Sequence, residues 1–264
     1  GAGRAGAAMV LSTLSNSPVE EVVAASPGPV FFQLYVYKDR GRCKALIDRV
    51  RAAGCKALMV TVDAAILGMR ERDVRNGFHL PPGLTMPNVE GRLTDVPQAQ
   101  GTSGLAAWVA DALDPSLGFA DLEWLASVAG MPVLAKGVCR GDDAVACLEH
   151  GAAGVVVSNH GGRQLDGGIA TLDALPEVVA SMDGRGAVLM DGGVRSGVDV
   201  LIALGLGADA VLVGRPILWG LTLGGAQGVF EVLEMLKGQL DEAMALAGAP
   251  TVDAITRDLV CRSQ

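Results

Sequence analysis

Short apolar runs alternate with longer stretches of helical period along most of this chain. The runs are Ala8–Leu11, Val30–Tyr35, Ala57–Val62, Val133–Ala135, Gly154–Val157, Ala187–Met190 and Ala210–Val213. Each is β-branched or otherwise apolar and ends in polar residues or glycine, the pattern of a parallel strand covered on both faces. Between them the spacing turns helical. Arg42–Ala53 sets Ala45, Leu46, Arg49, Val50 and Ala53 along one side, and Val178–Met182 and Gly197–Leu206 carry similar stripes. Asp142–His150 opens on paired acids, which suit the positive end of a helix dipole. Gly151 and Gly207 stand where a helix would end ahead of a strand. Late in the chain, Val229, Leu233, Leu236, Leu240 and Met244 share one face of a long amphipathic helix.

This alternation predicts right-handed crossovers and an α/β fold built on a parallel sheet. A closed barrel and a doubly wound open sheet both satisfy it. The polar residues of interest follow several different strands rather than one switch point, which selects a TIM (β/α)8-type barrel. Such a barrel needs eight strands, and the sequence offers seven. The deficit lies at the amino end, where a helix-like stretch, Gly1–Ala7, feeds directly into the first run. The expectation is a single domain over 1–264 that lacks the first barrel strand and is open between Ala8–Leu11 and Ala210–Val213. One long interruption, residues 64–116, follows the Ala57–Val62 strand. It holds Pro81, Pro82, Pro87 and Pro97 and no clean strand, and is read as a lid-like insertion.

Bulk properties narrow the function. The 264 residues are half hydrophobic, enough for one barrel core. A net charge of -8 argues against an electrostatic nucleic-acid binder. No apolar run is long enough for a bilayer span and no segment resembles a signal peptide, so a cytoplasmic protein is expected. The five cysteines form no CxxC pair and fit idle thiols in a reducing compartment. No His/Cys/Asp cluster has metal-ligand spacing, so no metal is expected.

Chemistry concentrates at the strand ends. In order these present Ser12 and Thr13, then Gln33 and Tyr35, Thr61 and Asp63, and Lys136. Ser158-Asn159-His160 with Arg163 comes next, followed by Asp191-Gly192-Gly193-Val194-Arg195 and Gly214-Arg215. The last two groups pair glycines with an arginine, and backbone N–H groups beside a guanidinium make a phosphate cradle. His160 is one of three histidines, with His79 and His150. Its place at a strand exit beside Arg163 points to a general base, with Asp63 as its orienting partner. Lys136, at a buried exit, suits a role beside an anionic group.

These residues resemble the FMN-dependent α-hydroxy acid oxidases and dehydrogenases, among them glycolate oxidase, lactate oxidase and mandelate dehydrogenase. The resemblance runs in order through FFQLYVYKDR (Phe31–Arg40), LMVTVD (Leu58–Asp63), LGMRERD (Leu67–Asp73) and LAKGV (Leu134–Val138). It continues through VVSNHGGRQLDG (Val156–Gly167), LMDGGVRSGVDV (Leu189–Val200) and LVGRP (Leu212–Pro216). SNHGGRQLD is the most specific of these.

The resemblance implies an FMN over the barrel mouth. Ser12, Gln33 and Thr61 would meet its ring and ribityl chain, and Lys136 would face the pyrimidine part. Ser158 would support the same side. Asp191, Gly192, Gly193, Val194 and Arg195, with Gly214 and Arg215, would take the ribityl chain and phosphate. It further implies His160 as the base with Asp63, Arg70 and Arg163 on the substrate carboxylate, and Tyr35 on the substrate oxygen. The activity would be oxidation of a small (S)-2-hydroxy acid to the 2-oxo acid, with oxygen, a quinone or another acceptor taking the electrons. The complete family fold forms homo-oligomers. Leu14, where short-chain members often carry an aromatic residue, together with Leu67 and Met69, would shape the side-chain pocket. Two other readings stay open at this level. One is a remnant that keeps the site residues but binds flavin weakly or not at all; the other is a flavin barrel enzyme such as a diphosphate isomerase.

Overall fold

In a computed structural model, which describes residues 1–78, 80–81, 83–89 and 104–261, seven parallel strands form one sheet in sequence order. They are β1 (Met9–Ser12), β2 (Val30–Leu34), β3 (Leu58–Thr61), β4 (Val133–Val138), β5 (Gly154–Val157), β6 (Ala187–Asp191) and β7 (Ala210–Leu212). Each matches a run expected from the sequence to within a few residues. No pairing joins β7 to β1 among the described residues.

The sheet is curled into an open barrel, and side-chain alternation shows how. Val10, Phe31, Met59, Leu134, Val156, Leu189 and Leu212, one from each strand, pack into a single cluster with Ala57. Residues one position along, including Leu11, Phe32, Val60, Ala135, Val157 and Met190, belong instead to the larger core under the helices. Successive strand side chains point to opposite faces, so the first set is the barrel interior and the second faces outward. The interior layer is buried at Met59, Leu134 and Val156 and only half-buried at Val10, Phe31, Leu189 and Leu212, toward the two ends of the sheet.

The helices are α1 (Val19–Ala25), α2 (Arg40–Ala53), α3 (Glu71–Arg75), α4 (Gly104–Ala112), α5 (Phe119–Ala129), α6 (Gly141–Glu149), α7 (Thr171–Met182), α8 (Gly197–Gly205) and α9 (Arg215–Ala247); the outward strand residues pack in the core beneath them, while α3 buries none of its residues. The long last element is two helices joined at Gly224 and Gly225, the latter at φ +56°. Gly220 and Gly228 let the two limbs touch, since a Cβ on Gly228 would lie 2.0 Å from the Gly220 oxygen. The second limb buries Val229, Leu236 and Met244, on the face expected from the sequence. None of the described helices is long and apolar enough to cross a membrane.

The stretch after β3 is tied into the core at its described parts. Val89, Trp108, Val109 and Leu113 are buried in the main cluster. The Asn88 side chain accepts from Val19 N–H at 2.9 Å and donates to the Ser17 carbonyl at 3.0 Å, capping α1. His79, Pro82 and Pro97 lie outside the described residues.

Helix α8 meets the second limb of α9 through a glycine. A Cβ on Gly197 would lie 2.1 Å from Leu240 N, and the Gly197 N–H already donates to Gln239 Oε1 at 3.0 Å. Gly197→Ala is therefore expected to destabilise the fold by about 1–3 kcal/mol, the usual penalty of overpacking. Urea unfolding monitored by tryptophan fluorescence checks this; an unchanged midpoint would contradict the packing described.

Candidate active site

Two residues along each strand from the apolar interior layer, the inward positions become polar. They are Ser12 after Val10, Gln33 after Phe31, Thr61 after Met59, Lys136 after Leu134, Ser158 after Val156 and Asp191 after Leu189. The period of two makes these six the next layer of the barrel, at the carboxyl ends of its strands. Neighbours within the layer are bonded. Ser12 Oγ donates to Gln33 Oε1 at 3.2 Å, and Gln33 Nε2 donates to Thr61 Oγ1 at 2.9 Å. Lys136 Nζ donates to Ser158 Oγ at 3.0 Å and forms an ion pair with Asp191 Oδ2 at 2.8 Å. Thr13, buried at the end of β1, bonds the Gln33 carbonyl from its hydroxyl at 2.6 Å and accepts from Tyr35 N–H at 3.3 Å.

A bulge in β4 brings the base and its partner within reach. Register shifts between Lys136 and Val138, so Lys136 stays inward while Val138 turns to the helix side. Gly137, between them, has φ +113°, and a Cβ there would lie 2.6 Å from Asp63 Cβ. The missing side chain is what lets Asp63 sit against β4. From there Asp63 Oδ1 lies 3.0 Å from His160 Nδ1, with both side chains mostly buried. An ionised carboxylate only accepts, so Nδ1 carries the hydrogen of the neutral imidazole and Nε2 keeps a lone pair.

His160 itself is strained. Its φ of +57° is left-handed, costly for a residue with a Cβ, and Gly161 and Gly162 continue at +67° and +73°. The turn is held from below: His160 N–H donates to Ser158 Oγ at 3.1 Å, and Gly162 N–H donates to the carbonyl of Asn159 at 3.0 Å. Ser158 Oγ thus receives hydrogens from both Lys136 and His160.

Beside this pair lies a cationic corner. Burial, then the neighbouring Arg163 charge, hold the Arg70 guanidinium below its ordinary pKa. Arg70 Nε is buried without a hydrogen-bond partner, as is Asp63 Oδ2. Burial and the Asp63 charge push the Tyr35 phenol up, so it remains a hydrogen-bond donor at neutral pH. Arg70 thus keeps a buried N–H donor unused beside a second cation, the kind of group an anion pairs with. Of the residues expected to shape the side-chain pocket, Leu14 and Leu67 are half-buried, whereas Met69 is 80% exposed.

The glycine loops after β5 and β6 enclose a cavity of about 330 Å³. Gly161, Gly162, Gly192, Gly193 and Val194 line it together with Asn159, Thr171 and Arg215. Arg215 reaches across from the end of β7 to donate to the Gly161 carbonyl at 3.2 Å. Not every expected cradle residue faces this space. The Val194 side chain is buried in the core, which leaves its main chain. The Arg195 N–H is engaged by Asp199 Oδ2 at 2.9 Å, which leaves its exposed side chain. Asp191 is turned inward to Lys136, and Gly214 is exposed as the N-cap of α9.

Thr13 and Asn159, which the sequence offered only as strand-end residues without a role, acquire hydrogen-bonding partners here, and Gly137 and Gln164 emerge only from the structure, as residues that position the loops around the site. For Gly137 the sequence held a signal, a glycine interrupting the Val133–Val138 run, which marks a bulge or a close approach. Among the described residues no cluster of histidine, cysteine, aspartate or glutamate could hold a metal ion.

Comparison with known proteins agrees with this arrangement. The model of a family described as FMN-dependent dehydrogenase matches residues 1–262. An L-lactate oxidase of Nostoc sp. is 52% identical over 261 residues, covering 96% of this chain and 71% of the relative. The 2-hydroxyacid oxidase 1 of Homo sapiens is 50% identical, with 97% and 70% covered. A crystal structure of mandelate oxidase with (S)-4-hydroxymandelic acid superposes with a TM-score of 0.92 at 42% identity, covering 97% of this chain and 72% of that one. The inward polar layer, the glycine loops and these matches together establish that the chain belongs to the FMN-dependent dehydrogenase family.

Proposed function

We propose that this chain oxidises a small (S)-2-hydroxy acid to the corresponding 2-oxo acid, with His160 as base. The observation that carries the reading is the buried His160–Asp63 pair beside an arginine donor that has no protein partner.

The chain's residues fit an FMN. The inward layer of Ser12, Gln33, Thr61, Lys136 and Ser158 offers donors and acceptors at the barrel mouth, above an apolar layer. We assign the ring and ribityl contacts to these residues, joined by Asp191. The glycine-walled cavity suits a phosphate: it is lined by backbone at Gly192, Gly193 and Val194 and crossed by the Arg215 guanidinium. Arg195, through its side chain, and Gly214 complete that end. Bound FMN supplies the acceptor for the two electrons that leave the substrate, and the oxidase names of the relatives support dioxygen as the final acceptor.

The protein's own part is position and proton transfer. Arg70 and Arg163 take the carboxylate, fixing the substrate's orientation. The Tyr35 hydroxyl donates to a substrate oxygen. His160 Nε2 accepts the substrate proton, and Asp63 stabilises the imidazolium that results. Lys136, with its charge held next to the ring site by Asp191 and Ser158, favours negative charge there.

Self-association is the expected assembly, supported by Leu218, Trp219, Leu221 and Leu223, all more than half exposed on the first limb of α9. Sedimentation should give a mass above one chain, and a monomer at all concentrations would exclude it.

The activity is tested by loading the protein with FMN, excluding oxygen, and adding L-lactate, glycolate or (S)-mandelate. At least one should bleach the flavin; bleaching by none, with flavin retained, would sink the proposal. His160→Ala should retain flavin and slow bleaching by about 10²–10⁴-fold, the usual worth of a general base. Arg70→Met should raise KM by about 10–10²-fold, as expected for removing a charge-assisted hydrogen bond from a partly buried arginine. An unchanged KM would remove Arg70 from the carboxylate site.

A further inference from the structure

We propose that Gln164 is a positioning residue, whose side-chain amide clamps the loop after β3 onto the loop after β5 and thereby sets Arg70 beside Arg163. The inference rests on the carboxylate site proposed above, but the clamp itself is a separate structural claim.

All three hydrogen-bonding contacts of the Gln164 amide go to one short segment about a hundred residues away in sequence. Nε2 donates to the Asp63 carbonyl at 2.7 Å and to the Ile66 carbonyl at 2.8 Å. Oε1 accepts from Gly68 N–H at 3.1 Å. Both amide hydrogens and the carbonyl oxygen are therefore committed, and a primary amide is the one side-chain group that offers two donors and an acceptor in a plane at this reach.

The same two loops touch through their main chains. A Cβ on Gly68 would lie 2.6 Å from the Arg163 oxygen and 2.7 Å from both Gln164 Cα and its oxygen. No side chain fits at position 68, so the loops are in van der Waals contact where the amide bonds them.

What lies on either side of the clamp gives it consequence. On the first loop it begins at Asp63, the partner of His160, and ends two residues before Arg70. On the second loop the residue before Gln164 is Arg163. The Arg163 charge, on an exposed residue, disfavours that of half-buried Arg70, and the buried Arg70 Nε has no acceptor to hold it. Without a tie between the loops, the cheapest response is for the Arg70 loop to swing outward. Ile66 and Met69, 74% and 80% exposed, offer it little burial to resist that motion. The Gln164 amide supplies the tie. Because it bonds backbone rather than substrate, its removal should loosen the grip on the carboxylate more than it slows the chemistry.

The test compares the parent protein with Gln164→Ala and Gln164→Glu. Glu keeps the size and the acceptor for Gly68 N–H but removes the donors to Asp63 and Ile66. Hydrogen exchange read by mass spectrometry over residues 64–70 needs neither flavin nor substrate. Exchange there should rise by about tenfold or more in both variants, in line with the loss of two or three hydrogen bonds. Unchanged exchange would overturn the clamp. In the FMN-loaded proteins, KM for the best 2-hydroxy acid should rise about tenfold while kcat stays within about threefold. A fall in kcat with KM unchanged would overturn the link to the carboxylate site. If the parent protein oxidises none of the acids, the catalytic reading fails, and the clamp is then judged on exchange and on oxalate binding by calorimetry. Gln164→Ala should weaken oxalate by about tenfold; equal affinity in parent and variant would overturn the proposal. Should Gln164→Ala not fold, Gln164→Glu carries each comparison alone.

Discussion

The alternation of side chains along parallel strands is the constraint on which the rest of this molecule depends. A strand sends every second residue inward, so a curled sheet stacks its side chains in layers. Here one layer, from Val10 to Leu212, is apolar and packs on itself. The next, from Ser12 to Asp191, is polar and bonded sideways. The apolar layer packs beneath the polar one and is buried at its centre, at Met59, Leu134 and Val156. There the local dielectric is lowered, so the donors directly above count for more. The bulge at Gly137 is the one place where the period is broken, and the break is what admits Asp63.

Charge is handled differently at the two sides of the mouth. Lys136 is neutralised within the protein by Asp191, each side chain about 15% exposed, and Ser158 takes a further hydrogen from it. A buried pair of this kind contributes little net stability but fixes where the ammonium sits. Among the described residues Arg70 and Arg163 form no such ion pair, and the Arg163 charge disfavours that of Arg70. Under the proposed reading a substrate carboxylate would offset that repulsion. The left-handed His160 is a local backbone cost, held by Ser158 and Asn159.

How much of this was legible in the sequence follows from the range of the interactions involved. The strands were legible because each is a local apolar run, and the gathering of the candidate site residues at one mouth because a barrel places the end of every strand on one face. Lys136 and Asp191 were therefore both readable as mouth residues, but their bond joins two strands that are not neighbours in the sheet, and nothing local announces it. Short α1 escaped the periodic reading because it buries only Val19 among its seven residues. α5 and α4 were hidden by the proline-rich stretch before them, although Trp108 and Leu125 anchor both in the core. The loops after β5 and β6 are glycine turns, as the sequence suggested, yet it took the structure to show the Val194 side chain buried in the core and the Arg195 N–H engaged by Asp199.

Gln164 shows the same limit at its sharpest. In the sequence it is a polar residue between Arg163 and Leu165 with no periodic context, and a solvated loop position is the ordinary expectation. Its weight comes from a segment 96 to 101 residues earlier that brings carbonyls at Asp63 and Ile66 and a glycine at 68 to meet it. The pattern of layers explains why such a strut is required. Layering fixes residues whose Cα lies in a strand, and His160, Arg163 and Arg70 all lie beyond the strand ends. Their relative positions rest on loop-to-loop contacts, so the accuracy of the proposed substrate side depends on a few hydrogen bonds, while the side proposed for the flavin inherits the rigidity of the sheet.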